Sequence, residues 1–149
     1  MSEINDFHGE NFFLSNFFPQ SFVCEGMTWR SAEHAYQAAK AESKEDMLAV
    51  KMCATAGQAK KMGRKIRIRY DWDQIKVDVM RNILKAKFGD AELAVKLVGT
   101  GDAELIEGNN WCDKTWGCVL ENGEWEGRNL LGRLLMEVRA ELSKVCNPK

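Results

Sequence analysis

The sequence predicts an α+β fold, one mainly helical domain over residues 1–149 with a few short β-strands. Two long stretches, 73–88 and 129–144, carry apolar residues at helical spacing. Elsewhere the apolar runs are short and bounded by glycine and turn residues, as strands are. A length of 149 residues is close to the commonest domain size, and 45% hydrophobic with 29% charged residues suits a chain that folds around a core.

The elements follow in order. The first thirty residues hold Phe12, Phe13, Phe17, Phe18, Phe22 and Trp29 with little helical period, so strands are expected around Ser21 to Cys24 and Met27 to Trp29. Ser31 is a good N-cap and opens a helix to about Ala41. Ser43, with an acid three residues on, repeats the start signal for a helix over Met47 to Cys53. Thr55 caps a third helix that ends at Gly63, where glycine suits a left-handed C′ position. Ile66 and Ile68 alternate with Arg67 and Arg69, the pattern of a short strand with one charged face. From Asp73 to Phe88, the residues Ile75, Val79, Met80, Ile83, Leu84 and Phe88 form one apolar stripe, and Gly89 ends it. Asp90 caps a short helix through Leu97, stopped by Gly99-Thr100-Gly101. Leu105-Ile106 and Trp116 to Leu120 read as strands and Asn122-Gly123 as a turn. The last helix, Asn129 to about Lys144, turns Leu130, Leu131, Leu134, Leu135, Val138 and Leu142 inward.

Several function classes are excluded. No apolar run approaches the roughly 20 residues that cross a bilayer, and MSEINDFHGEN has acids where a secretory signal carries positive charge. A cytoplasmic protein with no membrane partner is expected. The five cysteines, Cys24, Cys53, Cys112, Cys118 and Cys146, are odd in number and form no CxxC pair, which fits reduced thiols. His8 and His34 lie at no ligand spacing from them, so no metal is expected. No GxGxxG, Walker, HExxH or GxSxG motif is present, and no cofactor is implied. The net charge of −1 gives no whole-molecule pull on nucleic acid. Yet six of the ten residues from Lys60 to Arg69 are basic and none is acidic.

Four constellations could carry chemistry. On a helix over Ser31 to Ala41, Glu33, Gln37 and Lys40 stand at i, i+4 and i+7 with Tyr36 at i+3, all on one side. The helix dipole favours an ionised Glu33 in the first turn, as a base or as support for a cation. The same spacing also describes an exposed Glu–Lys surface stripe. Asp113 stands between Trp111 and Trp116-Gly117, which is either a stacking site with a carboxylate or core aromatics around a turn. The Gly63-Arg64 step in the basic stretch can bind phosphate by charge-assisted contacts, or the stretch is a solvated strand face. Around Gly127-Arg128-Asn129, backbone NH groups at a helix start can receive an anion, or Asn129 simply caps the helix.

In order along the chain, these pieces are similar to the NADAR family of N-glycosidases. The matching residues are Leu14-Ser15-Asn16-Phe17, Trp29, Glu33-His34, Tyr36-Gln37, Lys40, Met62-Gly63-Arg64, Trp72, Met80 and Ala86-Lys87-Phe88. They continue through Leu105-Ile106-Glu107, Asp113, Trp116-Gly117, Gly127, Asn129-Leu130 and Gly132 into Leu134 to Arg139. The resemblance covers essentially the whole chain. It implies an α+β fold and hydrolysis of a C–N bond between ribose C1 and an exocyclic amine. Two substrate classes go with it: ADP-ribose on guanine in nucleic acid, and phosphorylated ribosylaminopyrimidines of riboflavin synthesis. For the first, an ADP-ribosyltransferase would be the functional counterpart. The implied catalytic residues are Glu33, Lys40 and Asp113; the implied substrate contacts are Asn16, Tyr36, Gln37, Arg64, Trp72, Trp116, Gly117 and Asn129. Lys40 is expected to act as a nucleophilic amine if burial or a cation such as Arg64 lowers its pKa. Glu33 is expected to move protons. A direct attack by carboxylate-activated water uses Glu33 and Asp113 equally well.

Overall fold

The computed structural model describes residues 2–146, with the Cys146 side chain and residues 1 and 147–149 outside the described set. The fold is α+β. In chain order the elements are β1 (Glu3–Ile4), a 3₁₀ helix (Gly9–Leu14), β2 (Pro19–Cys24), β3 (Met27–Ser31), α1 (Ala32–Ala39), α2 (Lys44–Lys51) and α3 (Ala56–Gly63). They continue with α4 (Trp72–Lys87), α5 (Ala91–Gly99), β4 (Glu104–Leu105), β5 (Val119–Glu121), β6 (Glu124–Glu126) and α6 (Leu130–Cys146). The elements gather into two compact units, Asn16–Asp90 and the pair Met1–Ser15 with Ala91–Lys149.

In the first unit, β2 and β3 form an antiparallel hairpin with Phe22 opposite Trp29. Its two-residue turn, Glu25-Gly26, has φ of 53° and 75°. Two positive φ values in succession give the twist that suits a tight hairpin. Phe22 and Trp29 are buried, and Trp29 donates its ring NH to the Cys24 carbonyl at 3.1 Å. The chain passes from Ser31 directly into α1, which is buried along its whole length from Ala32 to Ala38 and packs against β3, α2, α3 and α4. Ser43 and Thr55 cap α2 and α3, and Thr55 closes a capping box with Gln58. The apolar stripe of α4 buries Met80, Ile83 and Leu84.

Two expectations for this unit are corrected. The 66–68 stretch is no strand. It makes a single bridge, Ala41 to Ile68, and Ile66 is 9% exposed while Ile68 is 49% exposed, so the two do not share a buried face. Gly63 does not end α3 in a left-handed turn. It lies inside the helix, and the C-cap is Arg64 at φ −82°. What the position demands is space, as the site geometry makes plain.

In the second unit, β1 pairs parallel with β4, and β5 with β6 across the turn at Asn122-Gly123. The strand expected from Trp116 begins only at Val119, because the preceding residues are folded into a side-chain-bonded turn. α6 buries Leu131, Leu134, Leu135 and Val138 and packs on α5 and β4. At Gly132 the helix meets β4 without a side chain between. A Cβ there would stand 2.0 Å from the Leu105 carbonyl oxygen and 2.5 Å from the Asn129 amide.

Gly132→Ala is therefore expected to lower stability by about 1–3 kcal/mol, the usual cost of overpacking. Gly99→Ala, with open space around the added methyl, should leave the melting temperature unchanged or slightly raised. Thermal melts of the two variants side by side check the contrast.

Candidate active site

The site begins with how α1 starts. Its first amides need acceptors. The Asn16 carbonyl takes the Glu33 NH at 2.9 Å, and the Ser31 hydroxyl takes the His34 NH at 3.2 Å. The same hydroxyl lies 2.7 Å from His34 Nδ1, and His34 Nε2 lies 2.8 Å from the Cys53 carbonyl oxygen. A carbonyl can only accept, so Nε2 carries the hydrogen and Nδ1 accepts from Ser31. Burial pushes the His34 pKa down, with Arg30 adding to it against the Cys53 bond. His34 is thus a neutral clamp between the start of α1 and the end of α2.

Further along the same helix, three polar side chains form a chain of hydrogen bonds. Gln37 Nε2 donates to Glu33 Oε2 at 2.8 Å, and Lys40 Nζ donates to Gln37 Oε1 at 2.8 Å. Glu33 and Gln37 are each 7% exposed. The surface-stripe reading of this spacing is therefore overturned: α1 has no solvated face along these residues. Burial pushes the Lys40 pKa below its ordinary value, opposed by Glu33 and reinforced by the Arg64 guanidinium. Arg64 itself is exposed at the end of α3.

The basic stretch runs beside this lysine. Arg69 NH donates to the Lys40 carbonyl at 2.9 Å and Glu42 NH to the Arg67 carbonyl at 3.0 Å. Within it, Arg69 grips Asp71 through two bonds at 2.6 and 3.1 Å, and Arg67 lies 3.7 Å from Glu42. Tyr36 and Trp72 are buried with ring centroids 5.1 Å apart and their planes tilted by 56°. Asn16 places its Nδ2 at 3.6 Å from Met80 Sδ, and its buried Oδ1 accepts no hydrogen bond from the described protein.

The remaining predicted residues belong to the second unit. Asp113 Oδ1 accepts the NH groups of Thr115 and Trp116 at 3.0 and 2.9 Å, so one carboxylate oxygen shapes a turn. Trp116 is half-buried, and Trp111 is exposed. A Cβ at Gly117 would stand 2.2 Å from the Glu107 carbonyl oxygen. Asn129, at φ 52°, accepts from Glu107 NH at 3.0 Å and donates to the Leu105 carbonyl at 2.9 Å. Its amide is engaged at both ends with backbone. The structure thus groups Asn16, Glu33, Tyr36, Gln37, Lys40, Arg64 and Trp72 in one unit and Asp113, Trp116, Gly117 and Asn129 in the other.

Two further residues were not among the site residues expected from the sequence. Asn109 binds the backbone of Trp111, Asp113 and Cys118 and so holds the whole turn. Lys87 is 0% exposed, with Nζ 5.7 and 5.1 Å from the rings of Phe18 and Phe88, and burial lowers its pKa to about 7. The signal for Lys87 was present, since it continues the stripe of Met80, Ile83 and Leu84 at i+7. Among the described residues, no His/Cys/Asp/Glu group could hold a metal ion, and no helix is long and apolar enough to cross a membrane.

The Glu33–Gln37–Lys40 chain on this α+β fold joins a buried carboxylate to a half-buried amine through one amide, the kinds of group that proton transfer and amine nucleophiles use. The NADAR domain matches residues 5–143. A riboflavin biosynthesis protein of Vibrio vulnificus is 41% identical over 145 residues, 95% of this chain but 38% of that protein, so the chain spans well under half of its length. N-glycosidase YbiA of Escherichia coli is 36% identical over 133 residues, covering 87% of this chain and 81% of the relative. The NMR structure of the Escherichia coli protein YbiA superposes with a TM-score of 0.84 at 32% identity, over 100% of this chain and 90% of that one. The chain belongs to the NADAR family. Relatives of matching length are named N-glycosidases, which supports hydrolysis of an N-glycosyl compound as the class of activity.

The His34 clamp carries a pH dependence. The folded state holds the imidazole neutral, whereas the unfolded chain protonates it near pH 6.5. Its contribution is complete above that pH and is lost as pH falls towards the lowered folded value. Melting temperature should drop between about pH 7.5 and 5.5, and His34→Gln, starting lower, should show a flatter decline over that window.

Proposed function

We propose that the chain hydrolyses the bond between C1 of a phosphorylated ribose and an exocyclic amine of an aromatic base, with ADP-ribose on guanine in nucleic acid as the leading substrate. The observation that carries this reading is the hydrogen-bonded chain of buried Glu33 and Gln37 with half-buried Lys40, whose pKa burial lowers. Such an N-glycoside is a masked aldehyde. Protonation of the ring oxygen opens the sugar to an iminium at C1. The Lys40 amine adds to C1, the base amine departs with a proton, and a Schiff base to Lys40 remains. Water then adds at C1, the lysine leaves, and the free aldehyde closes to ribose. Glu33 is the group that moves these protons. The resemblance also implies a catalytic role for Asp113.

The guanine reading draws on the basic stretch. Six of the ten residues from Lys60 to Arg69 are Lys or Arg, and Arg64 is exposed. That is more cationic charge than one terminal phosphate needs, and a diphosphate on a strand can use it. A second reading is favoured by the Vibrio relative's name: a ribosylaminopyrimidine phosphate of riboflavin biosynthesis.

Both substrates, offered in parallel at equal concentration, test the choice. Release of ADP-ribose from the guanosine oligonucleotide at the higher kcat/KM is expected; the reverse order would make the pyrimidine the substrate. Glu33→Gln should lower kcat on the better substrate by about 10²–10⁴, the range for general acid–base groups. Asp113→Asn in the same assay tests the second carboxylate.

A further inference from the structure

We propose that Gln37 is the positioning residue of this site: its side-chain amide, seated in the space that Gly63 leaves, bridges Glu33 to Lys40 and limits the directions in which the lysine amine presents its lone pair. This rests on the reading of Lys40 as the reacting amine, and it assigns Gln37 a part other than the substrate contact that the resemblance implies.

The amide has one workable orientation. Its NH₂ end faces a carboxylate oxygen at 2.8 Å and its carbonyl end accepts from the lysine nitrogen at 2.8 Å. Reversed, it would set oxygen against oxygen and donor against donor. A neutral lysine amine has two hydrogens and one lone pair. With one hydrogen held by Oε1, rotation about the Cε–Nζ bond is arrested and the lone pair keeps to the remaining directions. The bridge also regulates charge. An acceptor without net charge satisfies the amine, while the carboxylate of Glu33 is kept one side chain away. Its pull on the proton is then weaker than that of a carboxylate in direct contact.

Gly63 explains how the amide fits. A Cβ at this position would lie 2.0 Å from Gln37 Oε1, 2.8 Å from its Cδ and 3.2 Å from its Cβ. Glycine inside a helix is destabilising relative to alanine, and its backbone here is not left-handed, so its conformation does not require it. The Gln37 amide does. Any side chain at 63 displaces the bridge.

The test uses the full chain, three single variants, Gln37→Glu, Gln37→Met and Gly63→Ala, and the double variant of the last two. Reductive methylation with formaldehyde and cyanoborohydride, followed by peptide mass spectrometry across about pH 6 to 11, reads the titration midpoint of each lysine. The free amine condenses with formaldehyde, water leaves, and hydride from the cyanoborohydride reduces the imine. Gln37→Glu sets a carboxylate against Lys40 and should raise its midpoint by about one unit or more. Activity near pH 7 should then fall about tenfold and recover as pH rises. Gln37→Met, similar in length but unable to bridge, should lower kcat with little change in KM. Gly63→Ala should do the same, and the double variant should be no worse than either single one, because both remove one interaction. An unchanged Lys40 midpoint and pH profile in Gln37→Glu, or fully additive losses in the double variant, would overturn the proposal. A shifted midpoint with no turnover of either substrate would retire the substrate reading alone and leave the positioning role standing.

Discussion

Everything in the Asn16–Asp90 unit depends on one constraint: α1 is buried on every face yet carries Glu33, His34, Gln37 and Lys40 on or beside its buried turns. A buried polar group without a partner is costly, and a buried charge more so. The unit meets this by arranging its neighbours around the helix's polar needs. β3 supplies Ser31, α2 ends so that the Cys53 carbonyl meets His34, and α3 supplies a glycine where the Gln37 amide must lie. Packing and polar satisfaction here are one problem with one solution.

That solution also sets the electrostatics. Removing Lys40 from water favours the free amine, and Arg64 adds to the same effect while Glu33 opposes it through an intervening amide. The lowered pKa follows from where the helix sits, with no dedicated partner needed to produce it. The second unit uses its polar side chains differently. Asn109, Asp113 and Asn129 give hydrogen bonds to backbone and hold irregular chain in a fixed shape. One unit therefore links polar side chains of one helix to each other, while the other uses similar side chains to hold a loop.

Much of the fold was legible because its signals are local. Ser31, Ser43 and Thr55 each cap the helix that follows, since a hydroxyl three residues before a free NH is a property of adjacent sequence. The stripe of α4 and the Asn122-Gly123 turn were readable for the same reason. What failed was non-local. Alternation over Ile66 to Ile68 is too short to distinguish a strand from one bridge. Gly63 looks like a helix terminator until Gln37 is placed against it. The polar side of α1 looks like a surface because charged residues are seldom fully enclosed. The spacing puts Glu33, Gln37 and Lys40 on one side of α1, where the structure links them by hydrogen bonds, but the burial and the bonding were not visible in it.

The contact between positions 37 and 63 has a consequence for sequences as well as for this molecule. Two residues on different helices, 26 positions apart by their numbers, occupy one volume that admits either a long side chain at the first or any side chain at the second. Evolution cannot change one freely without the other. A side chain at the second position displaces the amide at the first, so the two positions are expected to change together. The pair therefore works as a written mark, readable without coordinates, of whether a relative keeps its amine and carboxylate joined through an amide.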